Sequence, residues 1–157
     1  MRIIIGLLTT FGATVAAAIV GSAASITAAD FYGRLVQPPW APPSWVFGPV
    51  WTILYVLMAI AGWLVYQSGA SNTKALMGLF LAQLILNALW SWTFFQWESG
   101  LGSFITILGL WVAILVLIVT FWRVHPAAGV LLIPYLVWVS FAATLNGALW
   151  RLNPGFL

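Results

Sequence analysis

Three long intervals of this chain, residues 75–97, 99–122 and 124–150, contain no Lys, Arg, Asp or Glu. Each is long enough to supply the roughly 20 apolar residues that a helix needs to cross a bilayer. Only 4% of the 157 residues are charged, against about 25% in an ordinary soluble domain. So few charges cannot solvate the surface of a water-soluble fold, and the chain reads as an integral membrane protein. The apolar runs lack the period-two alternation of a lipid-facing barrel, so the expected class is all-α. Five spans are predicted at about residues 3–25, 45–66, 75–97, 101–122 and 127–150. The links "QSGASNTK", "ESG" and "RVHP" are short, which sets neighbouring helices antiparallel. Only the first link, about residues 26–44, is long enough to have a role of its own.

The first run has a competing reading. Arg2, an apolar stretch and "GSAAS" also fit a secretory signal peptide. Ala13, Ala17 and Gly21 at i, i+4, i+8 build a small-residue stripe suited to helix contact in lipid, which favours a retained helix. Trp45, Tyr66, Trp97, Trp122 and Trp150 fall near predicted helix ends, as interfacial rings do. Trp51, Trp90, Trp111 and Trp138 lie deeper. The basic residues divide three to two, Arg2, Lys74 and Arg123 against Arg34 and Arg151, which points the N-terminus to the cytoplasm.

The inventory excludes much chemistry. There is no Cys, one His and only two acids, Asp30 and Glu98, far apart. No metal site follows from that set, and no span carries the carboxylates of a proton-coupled pump. His125 has the chemistry of an axial haem ligand, but beside Pro126 it reads more simply as a loop residue. The net charge of +3 is scattered singly and forms no nucleic-acid patch.

What remains is a set of helix faces. Gln83, Asn87, Trp90 and Phe94 share one face of the third run, with Ser91 at its border. Trp51, Tyr55, Met58 and Gly62 align on the second. Trp138, Ala142, Leu145 and Leu149 align on the fifth, with Asn146 beside them. Amides in a bilayer core must find partners, so these faces turn inward. Spacing alone leaves two readings open, a packed core glued by amides and a pocket for a flat, mostly apolar ligand. Pro134 predicts a kink in the fifth run just before Trp138.

The stretch "QPPWAPPSWVFGPVW", residues 37–51, holds five prolines and three tryptophans. Pro38, Pro39, Trp40, Pro42 and Pro43 read as a stiff extended strap across one end of the bundle, a lid with aromatic rings beneath it. Ser44 reads as the N-cap of the second span and Pro49 as part of its first turn.

"FYGRLVQPPWAPPSWVFGPVWTILY", "QLILNALWSWTFF" and "PYLVWVSFAATLN" together resemble the three signatures of the TspO/MBR family, which includes the translocator proteins. The resemblance runs over essentially the whole chain and implies one transmembrane domain, residues 1–157, in a bacterial-type member held in the cell membrane. It implies a pocket for tetrapyrroles such as protoporphyrin IX and haem, and for benzodiazepine-type ligands, with no required cofactor. The family's pocket positions fall on Tyr32, Trp51, Asn87, Trp90, Trp138 and Ala142. Some members resemble enzymes that degrade porphyrin oxidatively in light, a chemistry whose implicated residues fall on Trp51 and Trp138. A transporter of porphyrin or similar hydrophobic molecules is a further alternative. The resemblance also implies a homodimer, for which Gly78 and Ala82 on the third span are suitably small. Animal members carry a sterol motif near the end of the fifth span. Here its central Tyr is replaced by Gly147, so sterol binding by that route is not expected.

Overall fold

The computed structural model describes residues 2–157. The helices are α1 (Arg2–Ala24), α2 (Ala28–Arg34), α3 (Phe47–Ser68), α4 (Thr73–Ser91), α5 (Gly100–Val124), α6 (Pro126–Leu131) and α7 (Ile133–Leu152). A 3-10 turn, Ser44–Val46, leads into α3, and a π-helical turn, Trp92–Gln96, extends α4. Five apolar spans of 22, 25, 24, 25 and 27 residues result, the last made of α6 and α7 together. At 1.5 Å per residue they reach about 33–40 Å, enough to cross a hydrocarbon layer of about 30 Å with some tilt. Their bounds lie within two residues of those expected from the apolar runs.

The bundle closes in the order α1, α3, α6 with α7, α5, α4 and back to α1. Its half near His125 is solid. Met58, Val65, Phe80, Leu117, Phe121 and Leu132 are essentially sealed from the surface there. Phe80 stacks on Phe121 at 6.3 Å, and Gly62 gives its ring room: a Cβ on Gly62 would come within 3.0 Å of it.

The fifth span breaks where Pro134 requires it. Proline lacks the N–H that would bond back four residues, to Val130. The chain passes through Leu132 at φ −90° and ψ −9°, and Pro134 takes a place in the first turn of α7. As a result α3 packs on α6 near His125. Towards the other end, aromatic rings fill the space between α3 and α7: Trp51 lies 6.1 Å from Tyr135 and Phe47 5.9 Å from Trp138.

Two features differ from the sequence expectations. The first link contains α2, whose Asp30 in the first turn and Arg34 in the last suit a helix dipole. Ser44 is not the cap of α3. Val46 holds that position without a side-chain bond, because the 3-10 turn satisfies the first donors through backbone carbonyls. At the same end of the bundle, α5 starts against Trp150. A Cβ on Gly100 would stand 2.1 Å from the indole. Gly100→Ala is therefore expected to destabilise the fold by about 1–3 kcal/mol, as overpacking does. Gly109→Ala, in open space, should leave stability unchanged or raise it by up to about 1 kcal/mol. Thermal unfolding of both variants in detergent checks the pair.

Candidate ligand cavity

A hydrogen-bonded chain of side chains forms the floor of the open half. Tyr55 on α3 donates its hydroxyl proton to Asn87 Oδ1 at 2.7 Å. Asn87 Nδ2 donates to the Tyr135 hydroxyl of α7 at 2.7 Å. Tyr135 donates in turn to Gln83 Oε1 at 3.1 Å, and Gln83 Nε2 ends the chain on Met58 Sδ at 3.8 Å. Gln83, Asn87 and Tyr135 are buried. In lipid each would cost several kcal/mol if left unpaired, so the chain ties three helices into one register.

Above that floor lies a cavity of about 560 Å³, bounded by α1, α2, α3, α4 with its π turn, and α7. The volume falls within the range of about 300–1,000 Å³ of small-molecule sites. Trp51 lines the cavity, with ring centroids 5.8 Å from Tyr55 and 6.0 Å from Trp90. Trp90 stacks on Phe94 at 5.9 Å, with 13° between planes. Its Nε1 donates to Asn146 Oδ1 at 3.0 Å, and Asn146 Nδ2 donates to Ser103 Oγ at 3.0 Å. Both polar ends of Asn146 are thus used, and the Trp90 ring is pinned as a rigid wall.

The π turn shapes the next part of the wall. Its wider bond, Trp97 N to the Trp92 carbonyl at 2.9 Å, accompanies two successive rings on the cavity. Phe94 and Phe95 both line it, edge to face at 5.0 Å. Two side chains from the same segment reach α1. Trp92 Nε1 donates to the Val20 carbonyl at 3.1 Å, and Gln96 Nε2 to the Ala24 carbonyl at 3.2 Å. The second bond satisfies one of the carbonyls that a helix end leaves open.

The end of the cavity is covered by α2. Ala28, Ala29 and Tyr32 line it. Tyr32 donates its hydroxyl to the Pro42 carbonyl at 3.0 Å, and Gln37 Nε2 donates to the Tyr32 carbonyl at 2.7 Å. Burial raises the Tyr32 pKa above its ordinary 10.0, so the hydroxyl keeps its proton and remains a donor at neutral pH. Arg34 lies 3.6 Å from Glu98 and 5.4 Å from the Phe156 ring centre. Asn153 accepts from Val36 N at 2.8 Å and donates to the Val36 carbonyl at 3.0 Å.

The expected site residues separate into two groups. Tyr32, Trp51, Trp90 and Ala142 line the cavity; Asn87 and Trp138 do not. Asn87 acts one layer down, holding the Tyr55 hydroxyl. Trp138 stands behind Phe47, 5.3 Å from Phe141. Its Nε1 is buried with no hydrogen-bond partner among the described residues. None of Pro38, Pro39, Trp40, Pro42 and Pro43 lines the cavity either. The strap runs beside α7, from Asn153 at Val36 to Phe141, whose ring lies 6.0 Å from Trp40. The strap is not extended throughout, as its prolines had suggested: Ala41 N donates to the Pro38 carbonyl at 3.0 Å and closes a turn over Pro39 and Trp40, which sets the Trp40 ring against α7. It therefore fastens α2 from the side, and the lid is α2 itself. Helical spacing set Tyr55 on an inward face without naming it a site residue, and it passed over Phe95 and the α2 alanines, which also line the cavity.

Among the described residues, no three His, Cys, Asp or Glu side chains come together. His125 follows 25 residues of α5, about 37 Å of helix from the cavity end, and is no axial ligand there.

A model of the TspO/MBR family matches residues 8–151. The chain belongs to the TspO/MBR family. It is 44% identical over 126 residues to the tryptophan-rich protein TspO of Chlorobaculum tepidum, covering 79% of this chain and 80% of the relative. It is 36% identical over 127 residues to protein CrtK of Rhodobacter capsulatus, covering 80% and 79%. It is 38% identical over 129 residues to the human translocator protein, covering 80% and 76%. A relative from Cereibacter sphaeroides is named a tryptophan-rich sensory protein. With five apolar spans, this TspO/MBR chain is a multi-pass membrane protein of a family whose members are named as translocators and sensors.

The floor makes a quantitative prediction. Asn87→Leu leaves the Tyr55 hydroxyl without its acceptor and should cost about 1–3 kcal/mol of stability. A double-mutant cycle with Tyr55→Phe should give a coupling of about 0.6–1.7 kcal/mol, the range of interhelical bonds in lipid. Unfolding in mixed micelles measures it; additive losses would disconnect the pair.

Proposed function

We propose that this protein binds porphyrin-type tetrapyrroles in the membrane and senses or traffics them. The observation that carries this reading is a 560 Å³ cavity walled by the flat rings of Trp51, Trp90 and Phe94. A planar macrocycle gains stacking area on such walls, and polar edges can meet Ser22, Ser25, Ser91 and Tyr55 on the same lining. Benzodiazepine-type ligands, whose separate aryl rings can each meet an aromatic wall, suit the same surface. Family membership supports the class of role, and the wall chemistry supports the class of ligand. Sterol recognition at Gly147 is not proposed, since that residue packs toward Phe104.

A second reading has one supporting observation. Trp51, an oxidisable indole, faces the cavity, so a photoexcited porphyrin seated there would have an electron donor beside it. Trp138 lacks that position, and the reading rests on Trp51 alone. Porphyrin titration followed by tryptophan quenching tests both readings. Trp51→Ala should weaken binding about tenfold or more, since a buried aromatic contact is worth about 1.5 kcal/mol. Trp138→Ala should change it much less, and equal losses would undo the assignment. Under illumination, Trp51→Phe should slow porphyrin loss while binding persists; bleaching at the rate of free porphyrin removes the enzymatic reading.

We further propose a homodimer through α4. Gly78, Ala82, Ile85 and Leu89 form an exposed apolar stripe, and a Cβ on Gly78 meets nothing within 4 Å. Close approach over small residues is the usual means of helix association in lipid. Ala82→Cys should crosslink into dimers in native membranes, while Gly109→Cys on α5 stays monomeric; the reverse pattern moves the interface.

A further inference from the structure

A ligand can reach the cavity in two directions, and they differ in kind. The end under α2 is fastened by Tyr32 to Pro42, Gln37 to Tyr32, Asn153 to Val36 and Arg34 to Glu98. Opening at that end means breaking these contacts together. At the cavity end, among the described residues, no side-chain hydrogen bond or ion pair joins α1 to the stretch of α3 from Gly48 to Tyr55: Thr52 bonds within its own helix and Tyr55 bonds to Asn87 of α4. The two helices are close near the opposite end, where a Cβ on Gly6 would stand 2.7 Å from the Tyr66 ring. Further along, the nearest α3 atom to a Cβ on Gly21 is the Tyr55 hydroxyl at 3.5 Å. A Cβ on Gly48 would have nothing within 4 Å.

Val15 and Ile19 line the cavity and yet are 55% and 62% exposed. A side chain does both only at a mouth. These residues lie nine and five positions before the end of α1, about 14 and 8 Å along the helix. The mouth therefore opens on acyl chains below the headgroups. Its rim is largely apolar, because the Thr52 hydroxyl is spent on the Gly48 carbonyl at 2.9 Å.

We infer that the cavity is loaded sideways from the bilayer, through a slot between α1 and α3 bounded by Val15, Ile19, Ser22, Gly48 and Thr52. Its ligand is then a flat amphiphile dissolved in the membrane, and α2 closes the aqueous side. The inference rests on the tetrapyrrole reading above.

The test is stopped-flow tryptophan quenching on the full chain in phosphatidylcholine nanodiscs. Protoporphyrin IX, which dissolves in lipid, is compared with an octacarboxylate porphyrin, which stays in water. At equal aqueous concentration, the association rate should follow the amount of each porphyrin in the membrane. Gly48→Leu should slow protoporphyrin association and dissociation together by about tenfold, whereas loss of a wall contact acts mainly on dissociation. Gly109→Leu, the same change in open space on the outer face of α5, should do nothing. Rates that follow aqueous concentration in the unmodified protein, or equal rates in the two variants, overturn the lateral route and leave binding intact. No saturable quenching in the unmodified protein overturns the binding reading and this inference with it.

Discussion

The open half of this protein depends on the absence of water from the bilayer. Tyr55, Asn87, Tyr135 and Gln83 would each be costly in hydrocarbon, and each is satisfied by the next. The chain they form crosses from α3 to α4 to α7 and permits one register of those helices. That register stands Trp51 against Trp90 and turns Ala142 and Asn146 towards the same space. A purely apolar interface would have let the helices slide, since lipid tails compete equally for Leu and Ile. Polar side chains thus specify the place of a cavity that is itself mostly apolar.

The cavity exists because the bundle is packed unequally along its length. Near His125, Phe80 and Phe121 fill the centre and Gly62 makes room for them. Towards α2, the break at Leu132 separates the packing of α6 from that of α7, and the π turn after Ser91 sets two adjacent phenylalanines on one wall. Both irregularities leave backbone groups unpaired in a regular helix count, and such departures recur at functional sites. The strap and Asn153 then hold α2 in place from outside. Rigid proline segments suit that task because little entropy is lost when they are fixed.

The five spans, their bounds and the inward faces were legible in the residues. Charge-free runs of the right length and amides at helical spacing have few physical solutions in lipid. The site was legible in part. Trp51, Trp90, Ala142 and Tyr32 line the cavity. Asn87 is one layer below it, because an amide that can bond two tyrosines does not remain on an open wall. Trp138 shares the face of Ala142 by spacing, yet Phe47 from α3 occupies the ground between it and the cavity. No property of α7 alone contains that fact. The proline strap was read as a lid from its stiffness. Its attachment to Asn153, 117 residues away in sequence, turned it into a fastening beside the bundle.

By itself the sequence determined the solvent, the number of crossings, the inward faces and the family, because hydropathy and helical period act over neighbouring residues. The tertiary structure decided which rings meet the cavity, what covers its end and where it opens. Those depend on contacts between residues distant in the chain: Phe47 against Trp138, Tyr32 against Pro42, and α1 standing away from α3 at Gly48. Local pattern carries the period of a helix but not the rotation of one helix against another, and that rotation separates a wall residue from one standing behind it.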